Sequence, residues 1–301
     1  MWDGILTAIA TETGQPLNNV KRRSVGGGCI NQAYCLTDEG TDERIGGASG
    51  RSLFVKLNRA ERLDMFEAEA LGLRELGRAG AITVPKPLCW GISENSSYLV
   101  LEWLELGGRD PEAWELMGRQ LAAMHRWCSE DQRCNPRFGW ERDNTIGATP
   151  QPNGWMESWT AFFRDRRLGF QLQLARRNGG DFPWGDRLLE AIPTILQGHD
   201  PQPSILHGDL WSGNGAITRD GQPVIFDPAT YWGDREADLA MTELFGGFPA
   251  AFYRGYDAEW PLDAGYSQRK TLYNLYHILN HFNLFGGGYA SQASAMAASL
   301  L

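Results

Sequence analysis

The segment 205–227, ILHGDLWSGNGAITRDGQPVIFD, limits the possible folds more than any other part of the chain. Its apolar runs, GAIT and PVIFD, read as two short strands joined by a polar turn. Asp209 and Asn214 precede the first strand at a D-x-x-x-x-N interval, and Asp227 ends the second. A hairpin returns its two ends to one place, so the fold has to bring Asp209, Asn214 and Asp227 together. A glycine-rich turn with surface acids is the bland alternative.

The rest of the chain divides around residues 107–111, GGRDP. Before it, NNVKRRSVGGG and NQAYCLT read as two strands joined by a glycine turn, and SLFVKLN as a third. ERLDMFEAEALGLRELGRAG reads as a helix closed by Gly80. VPKPLCWGI and SSYLVLEWLE supply further extended chain, and MWDGILTAIATETG a short amphipathic helix. After it, helical patterns dominate, beginning with Asp110 as N-cap and Pro111 at the first helical position. WMESWTAFFRDRRLGFQLQLARRNGG reads as one helix, and WGDRLLEAIPTIL as a helix interrupted at Pro193. The expectation is an α+β chain of two lobes. Residues 1–103 form a small antiparallel sheet with one main helix, 104–301 a larger helical lobe, and the linker lies near 103–109.

At 301 residues the chain can bury two such cores. A net charge of −9 argues against a general nucleic-acid binder. No run approaches the ~18 apolar residues of a membrane span, so no membrane partner is expected. The five cysteines (29, 35, 89, 128, 134) are scattered and lack a CxxC pair. That pattern fits a reducing, cytoplasmic setting rather than a disulfide framework or zinc site.

The three polar groups of the hairpin are the parts that phosphoryl transfer needs. An acid orients and deprotonates a hydroxyl, while an amide and a second acid hold a metal on the phosphates. Such oxygen ligands suit Mg²⁺. A nucleotide site upstream is therefore expected. Gly26, Gly27 and Gly28 lie between two strands, where backbone N–H groups approach phosphates closely. Asn31 stands where G-x-G-x-x-G has its third glycine, and a plain hairpin turn is the other reading. Lys56 shares a strand face with Phe54 and reads either as a phosphate-binding lysine or as a solvated edge charge. Phe66, Glu69, Leu73 and Leu76 share one helical face, so Glu69 points inward. A carboxylate there is costly without a cation, and Lys56 would supply it. Glu67 falls off that stripe, at the margin. Along YLVLEWLE, the Glu102 carbonyl and the Leu104 amide, with Trp103 between them, are candidates for adenine; an ordinary core strand would look alike.

GGGCIN, FVKLN, MFEAEALGL, VPKPL, LVLEWL, HGDLWSGN, FDPATYWGDREADLAM and LYHILNHFNLFGGGY occur in one order over nearly the whole chain. Together they resemble the fructosamine kinase (ketosamine 3-kinase) family, a branch of the aminoglycoside- and choline-kinase-like proteins. The resemblance implies a protein-kinase-like two-lobe fold using ATP and Mg²⁺ to phosphorylate the sugar O3 of a ketosamine. The product is expected to break down and free the amine, a repair of glycated amines or proteins. It implies that Asp209 is the base, that Asn214 and Asp227 hold Mg²⁺, and that Lys56 holds phosphate and pairs with Glu69. His207 becomes a structural hydrogen-bonder, and Asp238 a brace for the catalytic loop.

Trp211 becomes the platform for the sugar, against the alternative of a core tryptophan. His281 resembles a position near the acceptor; His277 or simple helix packing are the alternatives. Cys29 lies in the glycine loop and reads either as a redox switch or as a small residue that fits, so a monomer and a redox-sensitive homodimer both stand open. DPA replaces the DFG of protein kinases, and ten residues separate Asp227 from Asp238, read as a helix start. That leaves no activation loop, so the acceptor is a small molecule or a small adduct on a protein. Another hydroxyl acceptor (aminoglycoside, choline or homoserine-like) is the alternative, and a non-catalytic nucleotide-binding module a weaker one. The charged loop 38–51 carries no assigned role.

Overall fold

Every strand of the largest sheet comes from residues 20–102. The computed structural model describes the chain except for residues 27–29, 40, 43–46, 49, 109 and 129–135. Gly27, Gly28 and Cys29 therefore lie outside the described residues, as do residues 40, 43–46 and 49 of the charged loop. What is described of that loop includes a two-residue ladder, Thr41–Asp42 with Gly47–Ala48.

The five strands are β1 (Val20–Val25), β2 (Gln32–Asp38), β3 (Arg51–Arg59), β4 (Pro87–Ser93) and β5 (Ser96–Glu102). They form an antiparallel sheet in the order β1-β2-β3-β5-β4. Alternation assigns its faces. Leu53, Val55, Leu57, Tyr98 and Val100 pack with Ile5 and Ile9 of helix α1 (Trp2–Thr13). Phe54, Leu99 and Leu101 pack with Met65, Phe66, Ala70 and Leu73 of helix α2 (Leu63–Arg78). Lys56 is on the α2 face, so its position on β3 already aims it at that helix. Gly80, at φ 62°, follows the end of α2.

Helix α3 (Pro111–Arg126) begins as expected: the Asp110 side chain accepts a hydrogen bond from the Glu112 amide at 2.9 Å. The next helical region differs from the reading. It starts at Trp159, capped by Ser158, rather than at Trp155. It runs as α4 (Trp159–Phe162), a π-helical stretch (Phe163–Gly169) and α5 (Phe170–Arg177). The buried Arg167 sits in that stretch, its guanidinium 4.0 Å from the Tyr231 ring centre and bonded to the Pro152 carbonyl and Asn153 Oδ1, both at 2.7 Å. Helix α6 (Gly185–Ile195) is not interrupted at Pro193. Proline costs a helix the bond to residue i−4, and only two residues of this helix follow it.

A hairpin of β6 (Asn144–Ile146) and β7 (Thr149–Gln151) has no counterpart in the reading. Strands β8 (Ser204–Leu206) and β11 (Tyr231–Gly233) pair, and between them β9 (Gly215–Ile217) pairs with β10 (Pro223–Ile225). Helices α7 (Arg235–Thr242), α8 (Ala250–Glu259), α9 (Tyr266–Phe285) and α10 (Tyr289–Leu300) complete the chain. Asp238 is not a helix start: the cap of α7 is Asp234, which accepts from the Glu236 amide at 3.0 Å. Asp238 lies a turn later and is free to face the loop before it.

The two regions are joined by backbone as well as packing. The amides of Gly107 and Gly108 both donate to the Ile217 carbonyl at 3.0 Å, and the Arg219 amide donates to the Glu105 carbonyl at 2.7 Å. The linker thus lies against the β9–β10 hairpin that leads to Asp227. Among the described residues no helix is long and apolar enough to cross a membrane.

Candidate active site

A cleft of about 620 Å³ lies between the sheet and the β9–β10 hairpin. Lys56 and Phe54 reach it from β3, Gly26 from just after β1 and Asn31 from just before β2. Glu102, Trp103 and Leu104 pass along it as the chain leaves β5. Trp211, Asn214 and Asp227 close the opposite wall. Asp209 stands behind that wall, linked to it by Asn214. His281 lies outside the cleft.

Lys56 is the centre of charge. Its Nζ donates to Glu69 Oε1 at 2.6 Å and to Asp227 Oδ1 at 2.7 Å. Burial alone would lower the ammonium's pKa, but Asp227 and Glu69 more than reverse it, so the pKa rises. Burial pushes Glu69 upward, Lys56 pulls it back, and Asp227 pushes it up again. With Nζ within hydrogen-bond distance of both carboxylates, the ionised state is the one the geometry holds. Glu69 is deep (side chain 10 % exposed), whereas Asp227 is open to the cleft (46 %). Glu67 sits at the margin and pairs with Arg142 at 3.1 Å.

The loop carrying Asp209 is fixed by groups from three helices and strands. Gly208 has φ 82°, and a Cβ there would lie 2.1 Å from the Ala229 carbonyl, so only glycine fits. Asp238 accepts the His207 amide at 2.7 Å and the Gly208 amide at 2.8 Å. His125 Nε2, 3.2 Å away, donates to the same carboxylate, and its Nδ1 meets the Tyr256 hydroxyl at 2.8 Å. Burial would raise the Asp238 carboxyl, but these donors hold it below its usual range. His207 is neutral: burial lowers its pKa. Its Nε2 donates to the Phe226 carbonyl at 2.9 Å, and its Nδ1 accepts the Asp209 amide at 3.3 Å. Both nitrogens are occupied, which leaves His207 no lone pair for proton transfer.

Asn214 Nδ2 donates to the Asp209 carbonyl at 2.8 Å and lies 3.4 Å from Asp209 Oδ2. Its Oδ1 therefore remains as an acceptor, on the cleft that Asp227 also lines. Asp227 has φ 59°, one of two non-glycine residues with positive φ among those described. An aspartate tolerates this conformation better than most residues. The result is a carboxylate that faces Lys56 with one oxygen and keeps the other. Two hard oxygen donors so placed fit a divalent cation such as Mg²⁺. Burial first, then Asp227 and Asp238, push the Asp209 carboxyl up to about 7, against a smaller downward pull from Asn214.

Trp211 is 37 % exposed and is not a core tryptophan. Its ring meets Phe245 edge-on at 6.3 Å, and Phe245 lies 4.6 Å from the His281 ring. His277 is buried, burial lowers its pKa to about 3, and its Nδ1 has no hydrogen-bond partner. Several contributors escaped the reading. His125 carried a signal, a polar residue on the apolar face of α3, but not its partner. The prop behind Ala229 and Thr230, where Gln151 and Asn144 hydrogen-bond to their carbonyls at 3.0 and 2.8 Å, carried none.

A sequence model of the fructosamine kinase family matches residues 1–301. A candidate ketoamine kinase from Synechocystis sp. is 55 % identical over 295 residues, 98 % of this chain and 95 % of the relative. The chloroplastic protein-ribulosamine 3-kinase of Arabidopsis thaliana is 42 % identical over 299 residues, spanning 98 % of this chain and 86 % of that one. The crystal structure of a protein assigned as a fructosamine-3-kinase from Haemophilus somnus superposes with a TM-score of 0.89 at 32 % identity, covering 100 % of this chain and 98 % of that one. An aminoglycoside-3'-phosphotransferase of type VIII shares the fold, with a TM-score of 0.54 at 20 % identity over 91 % of this chain and 96 % of that one. The fold is thus the protein-kinase-like one of small-molecule phosphotransferases, and from end to end the chain belongs to the fructosamine kinase family.

Proposed function

We propose that this protein is an ATP-dependent kinase that phosphorylates the O3 hydroxyl of ketosamines, fructosamine or ribulosamine adducts of amines. The observation that carries the reading is the convergence of Lys56, Asn214, Asp227 and Trp211 on one cleft beside the strand-to-linker segment 102–104. We divide the lobes between residues 103 and 104, where that segment crosses the cleft. The setting is a reducing, cytoplasmic compartment.

In this reading the Glu102 carbonyl and the Leu104 amide meet adenine, with Trp103 between them. Gly26 and Asn31 border the phosphates, and Lys56, aimed by Glu69, neutralises them. Asn214 Oδ1 and Asp227 would hold Mg²⁺, whose role when bound is to offset the phosphates' negative charge. Asp209 orients the sugar hydroxyl and takes its proton as the oxygen attacks the γ-phosphorus. The bond from that phosphorus to the β–γ bridging oxygen breaks and ADP leaves. Asp238 and His125 act only through Asp209's loop, by fixing the amides on either side of the turn. Trp211 offers a ring face to the sugar, and His281 stands behind it through Phe245. Gly27, Gly28 and Cys29 would complete the phosphate loop, with Cys29 a candidate redox thiol.

The test is ATP consumption by the full chain with ribulosamines, fructosamines, choline and an aminoglycoside, with Asp209→Asn as control. Turnover with a ketosamine and loss of it in the variant is expected. Best activity on choline or an aminoglycoside overturns the acceptor. Undiminished turnover by Asp209→Asn overturns the base.

A further inference from the structure

Trp211 begins a wall that runs out of the cleft. From Phe245 the contacts continue to His281 at 4.6 Å, then to Tyr289 at 5.1 Å and Phe285 at 5.7 Å. Phe285 and Tyr289 lie 6.5 Å apart. Five rings thus form one continuous surface from the reaction cleft to solvent. Phe245 and Tyr289 lean on the main core, while Trp211 and Phe285 are not part of it. Phe285 is 58 % exposed, the most open large apolar side chain among the described residues. A single exposed phenylalanine needs no explanation. One at the end of an unbroken aromatic surface that starts in a reaction cleft does.

The wall is built rather than incidental. Gly286 and Gly287, at φ 64° and 63°, end helix α9 and turn the chain. That turn brings Tyr289 back against His281 and Phe285. His281 Nδ1 donates to the His277 carbonyl at 2.8 Å. The ring is thereby fixed as the tautomer whose Nε2 keeps its lone pair. Burial lowers the pKa of His281, so the ring is uncharged at neutral pH. A cation approaching the wall meets ring faces and a neutral imidazole, with no like charge among its five rings.

A ketosamine has two ends. The sugar must reach Asp209, and the nitrogen, a secondary ammonium, joins it to whatever amine carries it. The nucleotide side of the cleft is bounded by Lys56 and residues 102–104, so the carrier has to leave on the Trp211 side. An ammonium is attracted to aromatic faces, and the alkyl stem behind it gains from apolar contact.

We propose that the wall from Trp211 to Phe285 is the carrier subsite. It receives the ammonium and aliphatic stem of the amine, so the enzyme favours ketosamines on lysine side chains over those on short amines. This rests on the reading that Trp211 and Asp209 meet the sugar.

Two ketosamines of the same ribulose moiety test it, one on methylamine and one on the ε-amine of an Nα-acetyl-lysine amide. The readout is the ratio of their kcat/KM values for the full-length wild type, Phe285→Ala and Phe285→Leu. Both compounds carry the ammonium, so the ratio reads the stem alone, and the wild type is expected to favour the lysine carrier by about tenfold or more, the scale of apolar contact along that stem. Phe285→Ala removes most of that preference through KM, and Phe285→Leu, which keeps the apolar bulk, retains part of it. No preference in the wild type, or an unchanged ratio in Phe285→Ala, overturns the subsite. A wild type inert to both compounds overturns the functional reading, and the subsite with it.

Discussion

Replacing Asp209 by Asn removes a charge that the folded chain holds at a cost. Burial, then the carboxylates of Asp227 and Asp238, raise the Asp209 carboxyl from 3.8 to about 7, with Asn214 offsetting only part. At 1.36 kcal/mol per pH unit this amounts to roughly 4 kcal/mol as a ceiling, and relaxation of the surroundings with water penetration on ionisation reduces it to about 2 kcal/mol. The folded pKa lies above the unfolded one, so ionisation favours the unfolded chain. The penalty is absent below 3.8, grows as pH rises towards about 7, and is complete above that. Asn carries no charge at any of these pH values. The variant is therefore expected to be more stable than the wild type at pH 8 and equal to it at pH 3.5. For a chain of this size 1 kcal/mol moves Tm by about 2 °C, so the gain at pH 8 is roughly 4 °C. Turnover with ATP and a ketosamine should fall by about 10²–10⁴. Scanning calorimetry of the ligand-free protein across that pH range, with turnover measured beside it, reads both effects. A variant no more stable than the wild type at pH 8, or a gain that persists undiminished at pH 3.5, refutes the electrostatic argument.

Lys56→Met leaves Glu69 and Asp227 facing each other without their shared cation. It should cost about 3–5 kcal/mol in chemical denaturation and abolish turnover. Adding Glu69→Gln should restore most of the stability and none of the activity. Trp211→Ala should raise KM for the ketosamine about tenfold while KM for ATP stays within about twofold, since a stacked ring is worth roughly 1–1.5 kcal/mol; Trp211→Phe should recover most of it. His199 is held by Asp234 at 2.6 Å; burial would lower its pKa, but Asp234 and Glu236 raise it. Its contribution is therefore full below its ordinary value of 6.5 and lost as pH rises through the folded pKa. His199→Gln should destabilise by roughly 1–2 kcal/mol at pH 5.5 and much less at pH 9, as read by Tm at each pH.

What could be read from the chain alone follows a physical rule. Periodicity identified the strand face of Lys56 and the inward stripe of α2, because both are local patterns of 2 and 3.6 residues. Glu69 was legible because a carboxylate on an apolar stripe demands a cation within reach, and Lys56, mid-strand on the preceding β3, could supply it. The same logic could have marked His125, on the apolar face of α3, as needing a partner, but would not have named Asp238, 113 residues away. Nor could it pair Asp227 with Lys56 across 171 residues, or show that Asn144 and Gln151 hold the segment behind the catalytic turn. Arg167 was read only as part of one helix. Its burial follows from the Pro152 carbonyl, Asn153 Oδ1 and the rings of Tyr231 and Tyr276, drawn from three other segments, none of which bears on the local pattern around it. The need of a buried polar group is written beside it in the chain, whereas its satisfaction is a property of the fold. The hairpin from Gly215 to Ile225 shows both sides. Its strands and flanking acids were plain, yet the reason Asp227 keeps an oxygen for a cation is that Lys56, on another sheet, occupies only the other one.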